Sequence, residues 1–384
     1  MKKQFLKALS YVLVAALASA VSCGLMAREV DKQNTKLNQL SRLIEERFIE
    51  DVDMAQAEDA AAAAMVASLG DRWSYYLTAD EYVSHMEQMN NAYVGIGVTI
   101  SGTEDGAGVE VLKVEPSGPA AEAGIQVGDV IVGVEGQNVA GMTTAELRNL
   151  VRGEEGTFVM LTVNRAGETI EASVERRTVQ TAVATGQMLD NQIGLVTIAN
   201  FDSRCASESI AAIEGLIEQG AEGLIFDVRN NPGGYKDELV KLLDYLLPEG
   251  PLFRSEDYQG TVLVDESDEK CLEIPMAVLV NEESYSAAEF FAAALSEYNW
   301  ATVVGTQTSG KGYFQVTYRL NDGSAVGLSI GKYTTPNGVS LQAVGIIPDI
   351  ATEVDENTDY QIYAGMLTAE EDPQIQAAVK AILP

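Results

Sequence analysis

The chain has 384 residues, with 57 acidic against 25 basic side chains and a formal net charge of −32. That balance argues against nucleic acid and anionic lipid headgroups as partners, while 46% hydrophobic residues provide for two or three domains with real cores. Three cysteines, Cys23, Cys205 and Cys271, make neither a disulfide framework nor a CxxC metal site. Cys205 and Cys271 are the pair available for a single bridge in an oxidising compartment.

Lys2, Lys3 and Lys7 precede an uncharged run from Ala8 to Met26, which as a helix spans about 28 Å, close to the hydrocarbon thickness. More positive charge before the run than after it keeps the N-terminus inside and exports the rest. Residues 1–30 therefore read as a signal anchor in the cell membrane. Cleavage after Ala18-Ser-Ala20 and lipidation at Cys23 are the alternatives, and each leaves the remainder outside the cytoplasm.

Residues 31–92 read as helices. Leu37, Leu40, Leu43 and Ile44 form an apolar stripe, and Ala55–Leu69 is rich in alanine. Thr78 and Glu81 have the spacing of a capping box. The helix they start carries His85, the chain's sole histidine, which is expected on an exposed polar face.

Residues 93–178 carry Gly95-Ile96-Gly97-Val98, then Pro119-Ala-Ala-Glu-Ala-Gly124-Ile-Gln-Val-Gly128-Asp129, then strands at Thr157–Asn164 and Thr169–Glu175. Together these resemble a PDZ domain of the bacterial protease type. Such a module captures a peptide C-terminus: glycines let loop N–H groups converge on the carboxylate, and the peptide adds as a β-strand. Gly95–Val98 is the expected carboxylate loop. Leu147 and Leu150, on the helix Thr143–Val151, are expected to line the side-chain pocket, unless they simply pack in the core.

From 179 to 355 strands and helices alternate, as in an α/β core. Gln192–Phe201 and Glu222–Asn231 read as strands, and Ala206–Gln219 and Asp237–Leu247 as helices. Asn231-Pro-Gly233-Gly234 turns into the latter, baring N–H groups suited to an oxyanion, though a glycine turn needs no such role. The apolar run Met276–Asn281 ends in a polar turn, and a helix begins at Ser286. A serine at that junction faces the positive end of the helix dipole, where anionic charge develops in acyl transfer. Ser286 and Glu289 equally have the spacing of a capping box, so capping competes with catalysis at this position. A serine hydroxyl needs a base. His85 has no triad setting, which leaves Lys311 in the Gly-punctuated turn 308–312. A lysine serves only if burial lowers its pKa from about 10.4 toward about 7–8. No Walker, HExxH or dinucleotide motif occurs, so neither metal nor cofactor is expected.

Ser284-Tyr-Ser286-Ala-Ala-Glu289, Thr308-Ser-Gly310-Lys311-Gly312 and Gln315 resemble the C-terminal processing (tail-specific) peptidases, and the resemblance covers nearly everything after the apolar N-terminal run. Leu69–Tyr82 and Val344-Gly-Ile-Ile-Pro348-Asp349 resemble that family's other signatures. Tyr285 departs from it, since the family usually has a small residue there. The resemblance implies a crotonase-like serine protease core with Ser286 as nucleophile, Lys311 as base and Gln315 orienting the lysine. It also implies oxyanion donors at Gly233 or Gly234 and at Ala287, N-terminal helices able to pair two copies, and a helical tail over 356–384. The expected function is an exported serine endopeptidase acting on proteins with free, flexible, apolar C-termini, its PDZ domain capturing tails and either merely tethering them or also gating activity. A catalytically inactive PDZ scaffold and a crotonase-type acyl-transfer enzyme are the competing readings.

Overall fold

The computed structural model describes residues 35–103 and 106–383. The apolar run at 8–26 lies outside them. Among the described residues no helix is long and apolar enough to cross a membrane.

The chain divides into two units, the first ending at Tyr76. In the first, helix α1 (Lys36–Arg47) is capped by Thr35 and helix α2 (Met54–Ala67) by Asp53, whose carboxylate accepts from the N–H groups of Ala55 and Gln56. Leu37, Leu40 and Leu43 of α1 remain exposed. Strand β1 (Tyr75–Leu77) follows.

The second unit opens with α3 (Ala79–Met89). Its capping box is complete: Glu81 N–H bonds the Thr78 hydroxyl, and the Glu81 carboxylate returns to the Thr78 N–H. Strand β2 (Ala92–Gly95) then leads into a module built of β3 (Val98–Gly102), β4 (Val109–Val114), a short helix α4 (Pro119–Glu122), β5 (Val130–Val134), β6 (Gln137–Asn138), α5 (Thr144–Val151), β7 (Phe158–Arg165) and β8 (Glu168–Glu175). Its antiparallel sheet runs β3-β4-β5-β7-β8, with β6 on β5. Alternation along the strands puts Val109, Val111, Val159, Leu161, Val163 and Val174 inside, with Leu147 of α5 closing the core. Strand β9 (Arg177–Gln180) returns antiparallel to β2, pairing Ala92 with Gln180. The module is therefore an insertion whose two ends meet.

The remainder is an α/β layer. Strands β10 (Ala184–Leu189), β11 (Ile193–Ile198), β12 (Gly223–Asp227), β15 (Met276–Val280), β16 (Ala301–Gly305) and β19 (Ile350–Ala351) stand side by side in that order. All pair in parallel except β10 with β11. Strands β12 and β15 are buried along their whole length, as in a parallel sheet covered on both faces. One face is covered by α6 (Cys205–Glu218), α7 (Lys236–Leu246) and α8 (Ala287–Glu297), the other by α10 (Pro373–Ile382). An antiparallel sheet of β13 (Gly250–Asp257), β14 (Val262–Ser267), β17 (Tyr313–Arg319) and β18 (Ala325–Thr334) packs Phe253 and Tyr333 onto Phe290 of α8. Helix α9 (Glu356–Tyr363) connects to α10. Cys205 and Cys271 are both free thiols, so the available pair is unbonded in this structure. Burial pushes the Cys205 thiol up to about 12, which leaves it an inert core residue.

Candidate active site

The buried strand β15 ends at Val280, and the chain must turn sharply to enter α8. Three polar residues build the turn. Asn281 Oδ1 accepts from Asn230 N–H at 2.8 Å, Asn281 N–H donates to Ser284 Oγ at 3.0 Å, and Ser284 Oγ donates to Val228 O at 2.7 Å. Ser284 is fully buried and its hydroxyl is taken up by this turn, whereas Ser286 is part-exposed. Ser286 sits at φ 60°, ψ −122°, a backbone region that non-glycine residues seldom occupy. Ser286 is thereby the N-cap residue of α8.

Glu289 clamps this arrangement. It is the N3 residue of α8 and completely buried. Its Oε2 accepts from Ser286 N–H at 3.1 Å and from Lys311 N–H at 2.8 Å, and its Oε1 from Thr308 Oγ1 at 2.5 Å and Gly310 N–H at 2.7 Å. One carboxylate thus joins the serine elbow to the lysine turn. Burial pushes its carboxyl above the usual range, while the four donors pull the other way. The lysine turn is braced from behind by the segment after Ser340. Gly312 N–H donates to Gln342 Oε1, Ala343 N–H to Gly310 O, and Ile346 N–H to Thr308 Oγ1. Gly310, at φ 80°, has backbone atoms of 343–345 about where a side chain would begin, and only glycine fits there.

Lys311 itself is half-buried, with Nζ 5.6 Å from the centre of the Tyr285 ring. The departure from a small residue at 285 therefore puts an aromatic face near the lysine. Gln315 is on β17 in the same neighbourhood, and its amide donates to Tyr313 O and Ser329 Oγ. His85 is not on an exposed face, as its polar helix had implied. Helix α3 half-buries it close enough to Lys311 for the lysine's charge to act on it. Burial first and Lys311 second hold its pKa below the ordinary histidine value.

The Asn231-Pro-Gly233-Gly234 turn closes the other side. A Cβ on Gly233 would stand 2.7 Å from Ser286 Cβ and 2.8 Å from Ala287 N, so the glycine permits close contact with the Ser286 elbow. Its N–H donates to Asn231 Oδ1 at 2.8 Å. Among the described residues, no acceptor is found for the Gly234 N–H.

Two contributors were not singled out by sequence reasoning. Tyr333, buried on β18, donates its hydroxyl to Lys311 O. Burial and the Glu289 charge push its phenol far above the usual range. Glu289 entered the sequence reading as a helix cap and as the end of the Ser284–Glu289 stretch, with no role assigned in holding the lysine turn. Its sequence signal was a glutamate in an otherwise apolar helix face, Ala287 to Leu295.

In the inserted module, a groove of 580 Å³ runs between β3 and α5. Gly95–Val98, the expected carboxylate loop, is among the residues that line it. Leu147 lines it, but Leu150 does not; it packs against the module core. Helical spacing turns Thr144, Leu147, Arg148 and Val151 to the groove, so Val151 takes the place expected for Leu150.

Comparison with known proteins places residues 192–352 in peptidase family S41 and residues 110–165 in a PDZ domain family. The carboxy-terminal processing protease CtpA of Bacillus subtilis is 34% identical over 330 residues, 84% of this chain and 70% of that protein. A photosystem II D1 C-terminal processing protease structure is 28% identical, with a TM-score of 0.47 over 85% of this chain and 91% of its own. A candidate S41 protease from Bacteroides fragilis NCTC 9343, 16% identical, has the same fold, with a TM-score of 0.57 over 89% of this chain and 96% of its own.

Proposed function

This chain belongs to peptidase family S41, as a CtpA-like serine-type C-terminal processing peptidase, and from that premise we propose how its residues do the work. Ser286 Oγ attacks the scissile carbonyl carbon while Lys311 Nζ takes its proton and later gives one to the leaving amine. Water then hydrolyses the acyl-enzyme by the same route. Ala287 N–H and the Gly233-Gly234 turn stabilise the tetrahedral oxyanion, and Gln315 orients the lysine.

One observation carries this reading: the strained Ser286 elbow is tied to the Lys311 turn through a single buried carboxylate, Glu289. A purely structural cap has no need to reach a lysine turn 22 residues away. The same clamp argues against an inactive scaffold, which would have no reason to hold a serine in a strained conformation. The PDZ groove captures substrate tails by strand addition on β3, with the Gly95–Val98 loop gripping the terminal carboxylate. Export, with residues 1–30 as membrane anchor, belongs to the same proposal and rests on the lysine-flanked apolar run.

Ser286→Ala and Lys311→Ala should each lower turnover of casein by a factor on the order of 10⁴ or more, with far-UV circular dichroism unchanged. Full activity of Ser286→Ala would refute the nucleophile. Cell fractionation decides the anchor: recovery of the chain only in the cytoplasmic soluble fraction would refute it.

A further inference from the structure

The PDZ groove is not purely apolar. Arg148 lines it from the middle of α5, exposed, and no acidic partner is found for it among the described residues. The other groove arginine, Arg152, is already taken, with its guanidinium 2.9 Å from Glu87, the acid on the groove wall. In a chain of net charge −32, an unopposed cation facing a peptide groove is a complementary site for an anion.

The geometry says which part of a tail would reach it. The Arg152–Glu87 pair holds the C-terminal end of α5 beside the segment leading into Gly95–Val98. A captured tail therefore has its last residue near Val151 and runs back along α5 toward Thr144. Each strand residue advances about 3.3 Å, and alternate side chains face the same way. If the last side chain fills the apolar pocket around Leu147 and Val151, the third-from-last faces the helix too, about 6.6 Å upstream. Arg148 lies three helical residues before Val151, about 4.5 Å along the axis. Its side chain leans toward the helix N-terminus, which closes the remaining gap.

We propose that Arg148 selects tails with an aspartate or glutamate at the third residue from the end. This rests on the tail-capture reading above and deepens it: apolarity belongs to the last residue, and a carboxylate is read two positions before it.

The full chain carrying Ser286→Ala, which binds without cutting, tests this by fluorescence anisotropy with labelled peptides of about ten residues. The peptides end in Glu-Ala-Leu, Gln-Ala-Leu or Lys-Ala-Leu, with an amidated version of each. For an exposed ion pair the glutamate tail should bind roughly three- to fivefold tighter than the glutamine tail at low salt, with the difference shrinking as salt rises. Adding Arg148→Glu should reverse the order in favour of lysine. Equal binding of the three free-acid tails, or an order unchanged by Arg148→Glu, overturns the charge selection while leaving tail capture standing, provided amidation still weakens binding. If amidated and free tails bind alike, tail capture itself fails and the proposal with it.

Discussion

At the residue scale, the site depends on groups that hold Ser286 and Lys311 more than on those two alone. The Ser286 conformation costs about 1–3 kcal/mol and persists because its surroundings over-determine it. Glu289 supplies much of that determination, since its two oxygens accept from four donors in a site without exposure. In Glu289→Gln an amide NH₂ must face N–H donors. Leaving buried donors unmet costs about 1–3 kcal/mol each. We expect kcat to fall at least about tenfold with KM little changed, because the loss falls on the placement of reacting groups. A KM effect alone would show that Glu289 serves binding instead. His85 offers an independent gauge of the lysine. Its pKa is held below the ordinary value by burial and by Lys311. The unfolded chain therefore takes up this proton first. The associated stability is complete above about pH 6.5 and is lost as the pH falls through the folded value. As the sole histidine, it gives one unambiguous imidazole titration by NMR. The titration should fall below 6.5 and move upward in Lys311→Met; no movement would show that the lysine does not act on it.

At the scale of elements, the regular pieces of the core were legible in the sequence. The expected helices at Ala206–Gln219 and Asp237–Leu247 appear within a residue of their places, because their apolar spacing matches the face they bury. The helix at Ser286 was equally clear. Strands β10, β13 and β14 went unread. They are edge or half-exposed strands, with Val262, Leu263 and Val264 largely in solvent, so their pattern carries no burial signal. The Ser284–Glu289 and Thr308–Gly312 motifs stood out in the sequence for a different reason, the fixed residue types and spacing that carry the family resemblance. The supports, Tyr333 and Glu289, were not, because long-range contact leaves no local pattern. Arg229 shows the same on a larger element. Burial works against its charge, but Asp227 at 2.5 Å and Asp372 at 2.8 Å hold the guanidinium protonated. Asp372 is also the N-cap of α10, and Gln374 of that helix bonds Arg229 Nη1. The tail helix is thus fastened to the strand that leads into the Gly233 turn. Removing one partner of a buried ion network costs about 3–5 kcal/mol. Arg229→Ala should lower Tm by on the order of 10 °C. The double variant with Asp372→Ala should cost less than the sum of the single losses. Strict additivity in thermal melts would show that the two act separately.

At the scale of the second unit, the question is whether the PDZ module only holds a tail or also sets the state of the core. Its attachment favours the second. The module leaves and rejoins the core at adjacent points, with Thr181 N–H donating to Asn91 O at 2.9 Å. The base of this two-stranded stalk is fixed: Asn91 Nδ2 donates to Asn200 Oδ1 at 2.6 Å and to Asp202 Oδ2 at 2.9 Å. The residue between those two, Phe201, is hydrogen-bonded on both sides to the Gly233-Gly234 turn. Its N–H donates to Gly233 O at 2.8 Å, and its carbonyl accepts from Tyr235 N–H at 2.7 Å. A rotation of the stalk therefore pulls on the segment that positions Gly233 and Gly234, whereas a flexible tether would transmit nothing. Because the ends meet, the module can be excised by joining Asn91 to Thr181 through two glycines without stretching the core. If the PDZ only concentrates substrate, the excised enzyme should cleave short peptides at the parental rate and lose only its advantage on long tails. If tail binding biases two states of the core, excision removes that bias and the turnover of short peptides changes as well. We expect the change, and we expect Asn91→Ala, with the PDZ intact, to reproduce part of it without altering tail affinity in the Ser286→Ala background. Parental short-peptide rates in both variants would reduce the stalk to a tether.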